Sequence, residues 1–127
     1  DYRIGPEVIG CSLSHYNLYK DLLKLKTTSD YHLIVEDDCI PVATSGEVKN
    51  IIDAVKNSFD ILIIGYSKTD EDEYEVINKM NPFQKICISG KYNIGIRYKE
   101  TPCGAVAYIV NSDFLKKITT TILMPYY

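Results

Sequence analysis

The chain has 127 residues, of which 46% are hydrophobic and 24% are charged, and its formal net charge is −3. This length is enough for one domain with a real core but small for a two-domain enzyme. The weak negative charge gives no electrostatic reason to expect a nucleic acid or an anionic membrane as a partner. The sequence contains no apolar run of transmembrane length and no signal peptide. Because the chain begins without a methionine, we expect a fragment of a longer protein.

The first part of the chain predicts a loop followed by a helix. Residues 1–11 are expected to be extended or irregular, because Gly5 and Pro6 interrupt regular secondary structure. The helix should then be capped by Ser12 or Ser14 and run to about Lys26, because apolar residues recur there at helical spacing. The residues of this predicted apolar face are Leu18, Leu22 and Leu25.

The segment Tyr31–Val35 predicts a buried strand, because it is a short apolar run bounded by a polar loop and a later proline. Three carboxylates, Glu36, Asp37 and Asp38, follow the strand directly. In open α/β sheets, ligands bind just beyond the carboxyl ends of strands. Carboxylate oxygens also suit Mg²⁺ or Mn²⁺, so we expect a site for a divalent metal and a diphosphate. The alternative is a solvated acidic loop, since short acidic runs are common on protein surfaces.

The next segment predicts a helix and a second strand. Thr44 and Glu47 have the spacing of a capping box, and the helix should end near Asn57. Its predicted apolar face consists of Val48, Ile51, Ile52 and Val55. The continuous apolar run Ile61–Gly65 is typical of a strand that is buried on both faces of a parallel sheet. Helices and strands alternating at this spacing favour βαβ units with a right-handed crossover.

The last part of the chain predicts further strands and one more helix. The acidic segment 70–73 is expected to be a solvated loop, although it could hold a cation. Residues 85–89 and 94–98 indicate a pair of additional strands, a two-strand excursion from the main sheet. Residues 104–110 indicate a strand that opens with small residues, and Asn111 or Ser112 should cap a short helix after it. The four cysteines lack metal-ligand spacing, so a zinc site is not expected. Because three of them lie beside apolar residues, buried free thiols in a reducing compartment are favoured over the alternative of disulfides.

Four blocks, in this order, resemble glycosyltransferase family 25, the lipopolysaccharide-biosynthesis and collagen-galactosyltransferase group. They are Gly-Cys-Ser-Leu-Ser-His at 10–15, Leu-Ile-Val-Glu-Asp-Asp at 33–38, Phe-Asp-Ile-Leu-Ile-Ile-Gly at 59–65 and Gly-Ala-Val-Ala-Tyr-Ile-Val at 104–110. They are spread in order, at plausible spacing, over most of the range 10–118. The sequence departs from the family pattern at Val8, where the family usually has a glutamate. The family's first strand and its later Pro-x-Asp block have no counterpart here, which implies a partial domain.

The resemblance implies a single domain over residues 1–127 with a GT-A-like, Rossmann-type α/β fold, in which helices flank a mixed sheet. It implies a nucleotide-sugar-dependent hexosyltransferase that moves a sugar, such as galactose, from a UDP-sugar to a hydroxyl of a glycan or protein acceptor. Asp38 would be a direct ligand of Mn²⁺ or Mg²⁺, and Glu36 would be a second ligand or would contact the ribose. Asp37 would contact the substrate or orient its neighbours.

The resemblance also implies four other substrate-binding residues. Ser14 and His15, in the expected first turns of a helix, would meet the donor phosphate or sugar. Gly104 would permit close backbone approach to a ligand or to a neighbouring strand, and Tyr108 would pack over a sugar. The alternatives are a helix-capping serine, a histidine bonded within the fold and a core tyrosine. The catalytic base is not assigned.

Two other functions compete with sugar transfer. One is a doubly wound phosphatase or phosphotransferase with a strand-end aspartate as nucleophile, but the strands that end at Gly65 and Val110 offer no obvious lysine for that chemistry. The other is a catalytically inactive, transferase-like domain that binds a carbohydrate or a protein partner. In a bacterium or a virus, the protein would be cytoplasmic or peripheral to a membrane.

Overall fold

The computed structural model describes residues 5–25, 29–65, 79, 83–96 and 106–121. Its helices are α1 Pro6–Lys24, α2 Ser45–Ala54 and α3 Ser112–Thr121. Its strands are β1 Tyr31–Val35, β2 Ile61–Gly65, β3 Gln84–Ser89, β4 Tyr92–Ile96 and β5 Ala107–Asn111. This mixture confirms the predicted α/β class. The chain divides into two compact units, residues 33–109 and residues 1–32 with 110–127.

Strands β1, β5 and β2 form a three-stranded sheet in that order. The Glu36 amide donates to the Val106 carbonyl at 2.9 Å, and the Ser112 amide donates to the Asp30 carbonyl, also at 2.9 Å. Each bond joins a residue next to the end of one strand to a residue next to the start of the other. Strands β1 and β5 are therefore antiparallel.

Strand β2 also runs opposite to β5, because its last residue, Gly65, lies against Ala107, the first residue of β5. Strands β1 and β2 consequently point the same way and do not pair with each other. The predicted βαβ unit therefore has a split form, in which β5 is inserted between the two strands. The sequence pattern around β1 and β2 contains no signal for this insertion, since β5 is more than 40 residues downstream of β2.

One face of this sheet carries only aliphatic side chains near the carboxyl ends of β1 and β2. The antiparallel register puts Leu33 beside Ile109 and Val35 beside Ala107 on the same face. Position 65 of β2 lies on the same face as Ala107, because a Cβ atom at Gly65 would meet Ala107 Cβ. Since alternate residues of a strand share a face, Ile61 and Ile63 of β2 also lie on this face. We call this surface the open face; its residues are Leu33, Val35, Ile61, Ile63, Ala107 and Ile109.

The flanks of the open face are exposed, although its centre is buried. Ile109 is fully buried, whereas the β1 and β2 side chains of this face are 41–55% exposed. The predictions that β1 is a buried strand and that β2 is buried on both faces are therefore wrong. A continuous apolar run has the same sequence signature whether one face or both faces are covered.

In the unit of residues 33–109, α2 packs on the hairpin formed by β3 and β4. The capping box is confirmed: the Glu47 amide donates to Thr44 Oγ1 at 3.2 Å, and the Thr44 amide donates to Glu47 Oε2 at 2.8 Å. The core of this unit contains the buried residues Ile51, Val55 and Ile94. The hairpin turns at Gly90, whose φ is 57°, and it confirms the predicted two-strand excursion.

In the other unit, α1 packs against α3. Asn111 Oδ1 caps α3 by accepting the amides of Asp113 at 2.7 Å and Phe114 at 3.4 Å, as predicted. Leu115 of α3 is fully buried. Helix α1 begins at Pro6, earlier than predicted, because proline at the first helical position has a suitable φ and needs no amide partner. The predicted apolar face of α1 is wrong at Leu18 and Leu25, which are exposed.

Candidate functional site

The three consecutive carboxylates lie on a tight turn at the carboxyl end of β1. The Cys39 amide donates to the Glu36 carbonyl at 3.2 Å, which closes a turn with Asp37 and Asp38 at its corners. The Glu36 amide is bonded in turn to the Val106 carbonyl, so the sheet ladder continues one residue beyond β1. The turn therefore starts from a fixed backbone, and all three carboxylate residues are exposed.

The topology brings this turn to a defined edge of the sheet. Because β1 and β2 run the same way, their carboxyl ends lie at one edge, and β5 begins between them at Val106 and Ala107. Strands β1 and β2 are thus two strand spacings apart, or about 10 Å. We call this region the carboxylate edge; its residues are Glu36, Asp37, Asp38, Gly65, Val106 and Ala107.

The carboxylates of this edge are available to an external cation. Among the described residues, the ion pairs are formed by Asp21, Glu47 and Asp113, and none involves the turn. The described residues also include no group of three or more His, Cys, Asp or Glu arranged to hold a metal. The turn therefore fits a cation that takes one or two carboxylates and completes its shell with phosphate oxygens and water. It does not fit a cage built from described protein ligands alone.

Ser14 and His15 lie in a different part of the helix from the one predicted. Ser14 Oγ donates to the Gly10 carbonyl at 2.9 Å, and Ser12 Oγ donates to the Val8 carbonyl at 2.8 Å. Both serines thus bond back to the carbonyl four residues earlier, so the prediction that one of them caps the helix is wrong.

Ser14 and His15 lie in the third turn of α1. Their backbone amides are therefore not among the free donors of a helix N-terminus, and the expected phosphate contact loses that basis. The His15 ring lies 6.2 Å from the Tyr19 ring with an interplanar angle of 51°. Both residues belong to the unit of residues 1–32 and 110–127, whereas the carboxylates belong to the other unit.

Tyr108 is only 4% exposed, in the middle of β5. This burial agrees with the alternative of a core tyrosine. Gly104 lies outside the described residues, as do the acidic segment 70–73 and Cys103. The roles predicted for them stay predictions.

A close approach between strands is found at Gly65, whereas the one predicted at Gly104 lies outside the described residues. A Cβ atom at this position would lie 2.9 Å from Ala107 Cβ and 3.2 Å from the Ala107 nitrogen. Sequence reasoning did not assign a role to Gly65. The available signal was a glycine ending an apolar strand, which can mark close approach of another backbone.

The described cysteines are free thiols, but the prediction that they are buried is wrong. Cys39 and Cys87 are half-buried, and Cys11 is exposed on α1. Cys39 donates its amide to the carboxylate turn, so its backbone contributes to the site.

Comparison with known proteins identifies a family for this chain. Residues 3–125 match the family described as glycosyltransferase family 25 (LPS biosynthesis protein). No curated protein and no solved structure matches the chain significantly. Within the part of the chain that the structure describes, no helix is both long enough and apolar enough to span a membrane.

Proposed function

The chain belongs to glycosyltransferase family 25, and we propose that it transfers a hexose, such as galactose, from a UDP-sugar to a hydroxyl of a glycan or protein acceptor. The observation that carries this proposal is the turn of three exposed carboxylates at the carboxyl end of β1. Such a position is where open α/β sheets bind ligands.

The proposal assigns a divalent cation, Mn²⁺ or Mg²⁺, to Glu36 and Asp38, and a substrate contact to Asp37. When bound, the cation would offset the negative charge on the departing nucleoside diphosphate. The protein's own contribution is to hold the carboxylates in place. The two backbone bonds of Glu36, to Val106 and to Cys39, fix the start of the turn, so binding a charged ligand requires little further ordering of the chain.

In the proposed reaction, the acceptor oxygen forms a bond to the anomeric carbon while the bond from that carbon to the diphosphate breaks. The bonding electrons leave with the nucleoside diphosphate, and the hydroxyl proton passes to a base. Ser14 and His15 remain proposed donor contacts.

Isothermal titration with UDP-galactose, with and without Mn²⁺, tests the proposal. We expect Mn²⁺ to strengthen donor binding to the wild type by about tenfold or more, which corresponds to about 1.4 kcal/mol. Asp38→Ala should abolish this gain. The matched control is Asp53→Ala, which removes an exposed aspartate of α2 and should keep the gain. Donor affinity that is the same with and without Mn²⁺ in all three proteins would contradict a metal-bridged diphosphate.

A further inference from the structure

We infer that Gly65 is a positioning residue for the carboxylate turn. Its contact with Ala107 fixes the position of the beginning of β5, next to the Val106 carbonyl that accepts the Glu36 amide. This inference rests on the proposed function, and it adds a residue that does not itself touch metal or donor. Gly65 belongs to β2, and its effect on the turn passes through Ala107 and Val106 of the carboxylate edge.

Strands β2 and β5 approach each other closely at Gly65. A Cβ atom at Gly65 would lie 2.9 Å from Ala107 Cβ, and Cβ atoms in real proteins essentially never approach other heavy atoms within 3.0 Å. The same atom would lie 3.2 Å from the Ala107 backbone nitrogen. Neither neighbour is the end of a flexible side chain, so an alanine at position 65 must move one of the strands.

Strand β5 transmits this movement toward Glu36. Ala107 is joined through a rigid, planar peptide unit to Val106, whose carbonyl accepts the Glu36 amide at 2.9 Å. From Ala107 to Val110, β5 is buried, and close-packed interiors transmit strain rather than absorb it. Val106, the residue before β5, is half-buried and is therefore where the displacement is taken up.

The displacement of Val106 affects the carboxylates through Glu36. A shift of the Val106 carbonyl lengthens its bond to Glu36 or carries Glu36 with it. Residues that hold a metal or substrate must stay within about 0.5 Å of their productive positions. Loss of an outer residue that orients metal ligands typically lowers metal affinity by about 10–100-fold. We expect a loss of this size in Mn²⁺-dependent donor binding for Gly65→Ala.

The decisive experiment measures Mn²⁺ binding in the presence of UDP-galactose by the loss of the free-Mn²⁺ electron paramagnetic resonance signal. The proteins are the wild type, Gly65→Ala, Ala107→Gly and the double variant. Gly65→Ala should bind about 10–100-fold more weakly than the wild type. Ala107→Gly serves as the reference for the double variant. The double variant should be intermediate, because it removes the 2.9 Å contact and keeps the 3.2 Å contact to the backbone nitrogen.

Two controls separate positioning from general loss of stability. Gly46→Ala places a Cβ whose nearest neighbour is Thr44 Oγ1 at 4.0 Å, so Mn²⁺ affinity should not change. Val55→Ala removes methyl groups from the core of the same unit; it should lower the melting temperature and leave Mn²⁺ affinity unchanged. An affinity loss in Val55→Ala as large as that in Gly65→Ala would overturn the inference.

The remaining outcomes are also decisive. If the wild type binds and Gly65→Ala binds equally well, the inference is wrong while the proposed function stands. If the wild type itself does not bind Mn²⁺ with UDP-galactose, the proposed function fails and the inference fails with it. If Gly65→Ala does not fold, the comparison passes to the double variant, and binding equal to that of Ala107→Gly would overturn the inference.

Discussion

Leu33 and Ile109 lie side by side on the open face of the sheet, yet their burial differs sharply. Leu33 is 53% exposed, whereas Ile109 is fully buried. Replacing a buried isoleucine by alanine typically costs about 2–5 kcal/mol, because the lost transfer free energy is added to that of the cavity. Full burial of a leucine is worth about 1.5–3 kcal/mol. Since only about half of this burial is realised at Leu33, and no closed cavity forms, Leu33→Ala should cost about 1 kcal/mol.

Urea unfolding followed by circular dichroism measures both costs as changes in the free energy of unfolding. We expect Ile109→Ala to cost about 2 kcal/mol more than Leu33→Ala. Ile63→Ala is the matched control on β2, since Ile63 is exposed on the same face, and it should resemble Leu33→Ala. Equal costs for Leu33 and Ile109 would refute the described exposure, because they would mean that the open face is covered in solution.

Three further predictions concern the ends of helices. Thr44→Ala removes the capping box of α2 and should lower the free energy of unfolding by about 1 kcal/mol in urea titrations, whereas Thr44→Ser should preserve it. Asn111→Ala should cost a similar amount, about 1 kcal/mol, through the lost cap of α3, and Asn111→Asp should retain most of the stability. The Thr44 amide, and then Lys91, hold the pKa of the Glu47 carboxyl below its usual value of 4.5. A carboxyl group whose pKa is lowered on folding stabilises the folded state at pH values above its unfolded-state pKa, and this stabilisation is lost as the pH falls through the lower, folded-state pKa. The melting temperature of the wild type should therefore drop between about pH 5 and pH 2 by more than that of Glu47→Gln. Parallel pH profiles for these two proteins would count against the Glu47 interaction.

The elements that the sequence predicts well are those specified by adjacent residues. Strands β1 and β2 have the predicted bounds, because each is an apolar run between polar breaks. The start of α2 is set by Thr44 and Glu47, only three residues apart. The cap of α3 is likewise a single side chain, Asn111, bonded to amides two and three residues ahead. Each of these features can be recognised in the sequence from neighbouring residues, although β1 and β2 both pair with the distant β5.

The start of α1 shows how two local signals can compete. Serine favours the position before a helix, but inside a helix its hydroxyl can bond back to the carbonyl four residues earlier. Ser12 and Ser14 take the second option, and Pro6 marks the true start. The residue types alone do not decide between the two states, because the choice depends on whether the preceding segment is helical.

The position of β5 and the role of Gly65 could not be predicted from the sequence, for a different reason. Both depend on which distant strand pairs with β1 and β2, and long-range pairing leaves no local pattern at Ile61–Gly65. The exposure of the open face follows from the same topology. The carboxylates, by contrast, could be placed at a strand end from the sequence, because they follow an apolar run directly.

The topology brings together segments that are far apart in the sequence. The blocks at 33–38 and 59–65 and the described part of the fourth block, 106–110, meet at the carboxylate edge, through the bond from Glu36 to Val106 and the contact between Gly65 and Ala107. Donor binding at the turn should therefore respond to changes in β2 and β5 as well as to changes in the carboxylates themselves. The block at 10–15 belongs to the other unit, and its serines are engaged within α1. A role for that block in donor binding must therefore rest on side chains such as that of His15, because its backbone amides lie inside a helix rather than at its start.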